Sequence, residues 1–304
     1  MKNKLLLMVV ICLVVVFCCD IKKIEKTKED KVDNDIVVNL KNESTKSIES
    51  KKLEDYVIGV VAAEMPASFN LEALKAQAVA SRTYAMYKIN HSGNREYDLT
   101  STIDDQAFIT EDEMKEKWGT FFDTYYDKIK IAVNSTKDEV LTYNGEVIEA
   151  FYYAMSNGYT TDSLSVFSAD LPYIKSTESK WDNDSVNNFV YTVTFTKDVF
   201  CEKLNISCNS LLIENVDRDS TGRVSSIKIN DKKFTGVEVR KLLGLRSTDF
   251  TINISDEVNI TTKGYGHGVG MSQYGANGMA KEGKSYKEIL EYYYNNVNLE
   301  KIVV

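Results

Sequence analysis

Residues 140–155 read VLTYNGEVIEAFYYAM, an alternation of apolar and polar side chains about Asn144-Gly145. An Asn-Gly pair between alternating runs is the strongest short-range hairpin signal. The pattern upstream of it is different. In LEDYVIGVVAAEM (53–65), Leu53, Val57, Val60 and Val61 recur at helical spacing, with Glu54 and Asp55 in the first turn where the helix dipole favours acid. This predicts an amphipathic helix. A second is expected in NLEALKAQAVASRTYAMYKIN (70–90), capped by Asn70 and apolar along Leu71, Leu74, Ala78 and Ala85, and a third around Met114 to Val133. Downstream, FVYTVTFT (189–196) and RVSSIKIN (223–230) alternate as strands, and a short helix from Val237 to Leu243 stops at Gly244. Ser285 with Glu288 forms a capping box ahead of ILEYYYNNV (289–297). Helices at both ends of the body and strands in its middle give an α+β fold, not a regular βαβ repeat.

The 304 residues are 43% hydrophobic and 27% charged, enough to bury a sizeable core. Net charge is -8, and the Lys and Arg residues are scattered, so the chain offers no electrostatic footprint for nucleic acid. The N-terminus, MKNKLLLMVVICLVVVFCCD, has Lys2 and Lys4 before an apolar run from Leu5 to Cys19. No small-x-small cleavage site follows, which favours a transmembrane anchor over 1–19 rather than a removed signal, with a lipoprotein reading through Cys18 weakened by bulky Phe17. Residues 20–50 are crowded with Lys, Asp, Glu, Asn and Ser and read as a polar tether, in which only IVVNL (36–40) could pair as a strand. The body is then 51–304. Its two cysteines, Cys201 and Cys208 in CEKLNISC, are not a disulfide framework; they could pair in an oxidising compartment, but read more simply as small buried side chains.

Three stretches could carry chemistry. Glu64 in GVVAAEMP (59–66) stands two positions before Pro66, which disfavours helical geometry at Met65, so a carboxylate falls at a helix C-terminus. The dipole there and burial among Val60, Val61, Ala62 and Ala63 would both raise its pKa, as suits a general acid. The plainer alternative is a glutamate that points into water. KGYGHGVGMSQYGANG (263–278) holds six glycines and His267, one of two histidines in the chain. Such a loop either brings backbone N–H groups to a ligand, beside His267, Ser272, Gln273 and Tyr274, or simply packs tightly. SNGYT (156–160) is a polar turn after Phe151, Tyr152 and Tyr153, and the chain's 18 tyrosines make a sugar-facing surface reasonable. HExxH, CxxC and GxSxG patterns are absent, which disfavours metal catalysis and the commoner nucleophile motifs.

AAEMP, LKAQAVASRTYA, SNGYTTDS, GLRSTDF and GHGVGMSQYGANGMAKEGKSYKEIL, in this order, resemble the stage II sporulation protein D family, membrane-anchored lytic transglycosylases of endospore-forming bacteria. The resemblance runs from about Lys51 to the C-terminus. It implies cleavage between N-acetylmuramic acid and N-acetylglucosamine in peptidoglycan strands stripped of stem peptides, with Glu64 as the catalytic residue. By the same similarity Arg82, Ser156, His267, Gln273 and Tyr274 are expected to bind substrate. Some members carry Cys and His zinc ligands around the segment that here reads YYAMSNGYT, which has neither residue type, so no metal or other cofactor is expected.

The mechanism implied needs one acid. Protonated Glu64 would donate to the glycosidic oxygen and then act as base towards the muramoyl 6-hydroxyl, leaving a 1,6-anhydro end. The two carboxylates of ordinary glycoside hydrolysis are then not required. If a second acid acts, Asp104 or Asp105 in TIDDQAF (102–108) is the candidate, and the enzyme would be a hydrolase. The resemblance further implies a single-pass protein of the mother-cell membrane, its body facing the intermembrane space during engulfment, with a sporulation amidase and a membrane protein (stage II sporulation proteins P and M) as partners. Two other classes stay open: a non-catalytic glycan-binding modifier of a cell-wall amidase, and a structural component of the engulfment complex.

Overall fold

The computed structural model describes residues 35–302, apart from 44, 168, 184 and 185. The expected anchor, 1–19, lies outside the described residues; among those described, no helix is long and apolar enough to cross a membrane. The folded body opens earlier than Lys51. Strands β1 (Val37–Lys41) and β2 (Ile48–Lys52), from the stretch expected to be tether, pair antiparallel from Val37↔Lys52 to Lys41↔Ile48. Val38 and Leu40 are buried beneath them, and these two apolar side chains at a spacing of two are enough to seat the hairpin.

Helix α1 (Leu53–Glu64) follows β2 without a break, and α2 (Leu71–Asn90) begins beyond Pro66. Asn70 caps α2 by accepting from the Glu72 N–H, as expected. Neither helix is amphipathic in the ordinary sense. Every residue of α1 from Tyr56 to Ala62 is buried, as is every residue of α2 from Ala76 to Met86. Val60 and Val61 are poorer helix formers than alanine by about 0.6 kcal/mol each, but burying each side chain contributes about 1.5–3 kcal/mol, so packing decides the conformation. Ala73, Ala76, Ala78, Ala80 and Ala85 let other elements approach α2 closely from several sides.

A short strand β3 (Leu99–Thr100) joins β1 in parallel. The single helix expected over 114–133 is two, α3 (Glu111–Trp118) and α4 (Phe122–Ser135), because Gly119 takes a left-handed φ of 52° and breaks the run. Next come β4 (Glu139–Tyr143) and β5 (Glu146–Val147), joined through Asn144 and Gly145, both at positive φ, as the hairpin reading required. The hairpin is short. After Val147 the chain leaves β4, whose other edge is taken by the C-terminal strand, and β6 (Tyr152–Tyr153) pairs elsewhere.

The strand-rich middle surrounds one apolar cluster that includes Phe200, Ile227, Phe234, Val239, Phe250 and Ile260. It comprises β7 (Val190–Phe195), helix α5 (Lys197–Leu204), β8 (Ile213–Arg218), β9 (Val224–Ile229), β10 (Lys232–Thr235), helix α6 (Gly236–Leu243), β11 (Phe250–Ile254) and β12 (Val258–Lys263). The strands form two antiparallel sheets, in the orders β10-β9-β8 and β11-β12-β7. Cys201 and Cys208 form a disulfide with Cα atoms 5.7 Å apart, the less simple of the two readings their sequence left open. Helix α5 ends at Asn205 in the left-handed conformation, and the turn brings Cys208 back beside it.

The chain then returns to the helical body. Strand β13 (Met271–Ser272) pairs in parallel with β6. Helices α7 (Gln273–Lys281) and α8 (Tyr286–Tyr293) pack on α2, and β14 (Asn298–Lys301) closes the edge of β4. Both halves of the Ser285–Glu288 capping box form. The glycine-rich loop lies tight against residues 151–156. A Cβ on Gly270, at φ 79°, would sit 1.9 Å from the Phe151 carbonyl oxygen. Gly270→Ala should therefore lower stability by about 2 kcal/mol or more, read from urea unfolding monitored by circular dichroism.

Candidate active site

Pro66 holds Met65 in extended geometry, φ -113° and ψ 143°, so α1 stops at Glu64. The side chain lies in a pocket of about 360 Å³, within the range of small-ligand sites. One wall is the 103–106 loop with Asp104 and Asp105; the others carry Tyr84, Phe151, Tyr152, Phe167, Arg240, Tyr265 and His267. Glu64 is half-buried. Its Oε1 accepts from the Ala107 backbone N–H at 3.1 Å, and its Oε2 accepts from Gln273 Nε2 at 3.3 Å.

Burial raises the Glu64 pKa, and the two hydrogen bonds and the Lys117 ammonium offset this only in part. Lys117 donates to the Ala62 carbonyl at 2.9 Å, supplying positive charge at a helix end that favours it. Behind Glu64 is a polar chain. Gln273 Nε2 also donates to Gln77 Oε1 (3.3 Å), and Gln77 Nε2 to Ser81 Oγ (3.0 Å). Beside it Tyr56 donates to Gln106 Oε1 (3.0 Å), and Gln106 Nε2 to the Tyr152 hydroxyl (2.7 Å). A carboxyl with a raised pKa, fixed at both oxygens and open on one side to a cleft, is equipped to deliver and recover a proton.

The expected binding residues divide. His267 lines the pocket and Gln273 holds Glu64. His267 is neutral: burial, with Arg240 nearby, pushes its pKa down to about 3. Its Nδ1 accepts from the Val269 N–H (3.0 Å), and Phe151, Tyr153 and Phe167 surround the ring. Tyr274 is in a neighbouring groove, edge-on to Phe69 with ring centroids 4.9 Å apart.

Arg82 and Ser156, also expected to bind substrate, do not line the pocket. Arg82 is fully buried and forms a bidentate pair with Glu54, Nε to Oε1 at 2.8 Å and Nη2 to Oε2 at 2.6 Å, with further donation to the Glu139 and Val133 carbonyls. It ties α1 and α2 to the end of α4 and the start of β4. Ser156 is also fully buried; its hydroxyl donates to Asp182 Oδ2 (2.7 Å), which accepts from Ser179 (2.9 Å) and Ser272 (2.6 Å) as well.

Of the two possible second acids, Asp105 is committed. Its Oδ2 accepts from the Thr100 N–H and hydroxyl at 2.8 and 3.0 Å, and its Oδ1 lies 3.7 Å from Lys88 Nζ. Asp104 is exposed on the same loop. Sequence reasoning missed Gln106, Lys117 and Arg240, and named Tyr152 only as one of three aromatic residues ahead of SNGYT. Arg240 carries no local signal beyond its place in a short helix, and Gln106 none beyond its place beside Asp104 and Asp105.

A family model described as stage II sporulation protein matches residues 41–143. The chain is similar to stage II sporulation protein D of Bacillus subtilis (strain 168), at 42% identity over 265 residues, 85% of this chain and 77% of the relative. It is similar to the protein of the same name from Bacillus amyloliquefaciens, at 39% identity with the same coverage. It is 31% identical over 297 residues to the amidase enhancer of Bacillus subtilis (strain 168), covering 79% of this chain and 40% of that protein.

Two stability measurements separate the pocket from its frame. Arg82→Ala should cost about 3–5 kcal/mol, because it leaves the Glu54 carboxylate unpaired, and urea unfolding reads it. Glu64→Gln should do the opposite at neutral pH. A carboxyl whose pKa is raised on folding stabilises the protein fully below its unfolded value and loses that contribution as pH rises through the folded value. Glu64→Gln should therefore raise the thermal midpoint at pH 7, with the gain closing below about pH 4; an unchanged difference across that range would show that Glu64 is not desolvated.

Proposed function

The chain belongs to the stage II sporulation protein D family, and from that membership we propose that it is a peptidoglycan lytic transglycosylase acting in sporulation, with Glu64 as general acid and then general base. The observation that supports this reading most is the setting of Glu64: a carboxyl of raised pKa, anchored through both oxygens and facing an open pocket walled by aromatic rings. Protonated Glu64 donates to the glycosidic oxygen as the muramoyl–glucosamine bond breaks. The resulting carboxylate takes the proton of the muramoyl 6-hydroxyl as that oxygen closes on the anomeric carbon. Gln273 and the Ala107 N–H hold the carboxylate during the interval in which it is charged, while neutral His267 and the surrounding rings present apolar faces to the sugar.

The substrate proposed is a glycan strand without stem peptides. Residues 1–19 anchor the protein in the cell membrane, the body lies on the extracytoplasmic side, and an amidase and a membrane protein of the engulfment complex (stage II sporulation proteins P and M) work beside it.

The similarity to an amidase enhancer favours a second reading, in which the pocket grips glycan and promotes a partner's activity without cutting. Mass spectrometry of denuded strands incubated with the full chain tests both. Anhydro-ended fragments are expected from the wild type, with Glu64→Gln slower by about 10²- to 10⁴-fold. Reducing-end products would point to hydrolysis through Asp104 or Asp105, and intact strands that co-sediment with the protein would favour the modifier. The rate should also fall at alkaline pH as the acid form of Glu64 is lost.

A further inference from the structure

The pocket contains a cation that the proposed proton transfer does not use. Arg240 belongs to the last turn of α6, a helix opened by the Thr235–Glu238 capping box and stopped by Gly244 at φ 65°. Its side chain lines the same pocket as Glu64. Nε donates to the Arg246 carbonyl at 3.3 Å, which fixes the plane of the guanidinium, and its Nη nitrogens have no protein acceptor among the described residues. Among the described residues no carboxylate acts on it, and the Tyr265 phenol is its one electrostatic neighbour of opposite sign. Of the acids that line the pocket, Glu64 is engaged with Ala107 and Gln273, Asp105 with Thr100 and Lys88, and Asp104 accepts from Thr102 of its own loop at 3.5 Å; among the described residues none of the three forms an ion pair with Arg240.

Burial lowers the Arg240 pKa, the direction expected of a charge taken from water without a counter-ion. Arg82 shows what this chain does with an arginine of purely structural use, for it carries a bidentate carboxylate. Arg223, also buried near the loop, is occupied by Thr221 Oγ1 and the Tyr159 carbonyl. Arg246 is stacked 3.6 Å from the centre of the Tyr191 ring. Arg240 differs from all three in facing the cleft with its fork unfilled. A planar guanidinium fixed at one nitrogen and open at the others is shaped for a carboxylate.

The inference rests on the glycan reading above. N-acetylglucosamine is uncharged, and the acidic group of a muramoyl residue is the lactyl carboxyl. While a stem peptide is attached that carboxyl is an amide and neutral; once the peptide is gone it is an anion. It belongs to the same sugar ring as the anomeric carbon at which the bond breaks, so one pocket can hold both. We propose that Arg240 binds the free lactyl carboxylate of a muramoyl residue and thereby makes the Glu64 pocket selective for strands that have lost their stem peptides. Tyr265, which is 51% exposed beside it, supplies a flat face for the neighbouring sugar.

The test is calorimetric binding of a muramoyl-containing tetrasaccharide, as the free acid and as its lactyl methyl ester, to the full chain and to Arg240→Gln and Arg240→Lys. The wild type should bind the acid about 10- to 100-fold more tightly than the ester, the range for one charge-assisted pair. Arg240→Gln should bind both forms alike, at the level of the wild type with the ester. Arg240→Lys should retain part of the preference and is the variant to read if circular dichroism shows Arg240→Gln unfolded. Equal wild-type affinity for the two forms overturns the proposal. So does an Arg240→Gln protein that loses the same factor on both forms, or an Arg240→Lys protein with the full preference. Anhydro products are assayed in parallel on the acid form. A preference without cleavage would sink the transglycosylase and leave the carboxylate site standing; cleavage without a preference would do the reverse.

Discussion

A carboxyl at the C-terminal end of a buried helix is an unfavourable arrangement, and much of this structure is organised around making it tolerable. The dipole of α1 opposes negative charge at Glu64, and burial opposes it further. Three contributions from outside the helix answer this: the Ala107 N–H from the 103–108 loop, the Gln273 amide from the start of α7, and the Lys117 ammonium on the Ala62 carbonyl. They come from positions 43, 209 and 55 residues away from the atoms they serve. The site therefore exists only when the helical body has closed, and none of its electrostatics is a property of the local sequence.

The polar residues inside α2 follow from the same constraint. Gln77 and Ser81 are buried in a helix otherwise lined with alanine and other apolar residues, where an unpaired amide would cost about 1–3 kcal/mol. They pair with each other, and Gln77 accepts from Gln273, so the amide that holds Glu64 is itself held. Farther back, Asp182 accepts from Ser156, Ser179 and Ser272, and Ser272 is the residue immediately before Gln273. Ser156 thus acts at one remove: it fixes the strand that presents the glutamine, with no surface of its own for a ligand. The glycines of the loop serve that close approach too, since a side chain at Gly270 would strike the 151–156 segment that β13 pairs with.

What could be read from sequence was whatever a few neighbouring residues decide. Pro66 fixes the end of α1, and with it the position of Glu64; Asn144-Gly145 fixes a turn; Ser285 and Glu288 fix a helix start. Arg82 shows the limit. An arginine in an alanine-rich helix reads the same whether it faces water, ligand or core, and its partner Glu54 lies 28 residues earlier on another helix. The hairpin expected from 140–155 ends after two paired positions because β14, from the far end of the chain, takes the other edge of β4 and β6 turns to β13. Residues 37–52 are strongly polar yet fold, because Val38 and Leu40 meet a core that composition alone does not reveal.

The distribution of carboxylates bears on the chemistry proposed for the pocket. Hydrolysis with two acids requires a second carboxylate that is both free and aimed. Asp105 is aimed but not free, since Thr100 takes one oxygen twice and Lys88 lies against the other. Asp104, on the same wall, is exposed and not fixed, since its carboxylate accepts from Thr102 of its own loop at 3.5 Å. Glu64 is held at both oxygens by uncharged donors, without an ion pair, and is open to the cleft. A reaction in which the substrate supplies its own nucleophile, and one carboxyl serves first as acid and then as base, makes the fewest demands on the residues this pocket holds.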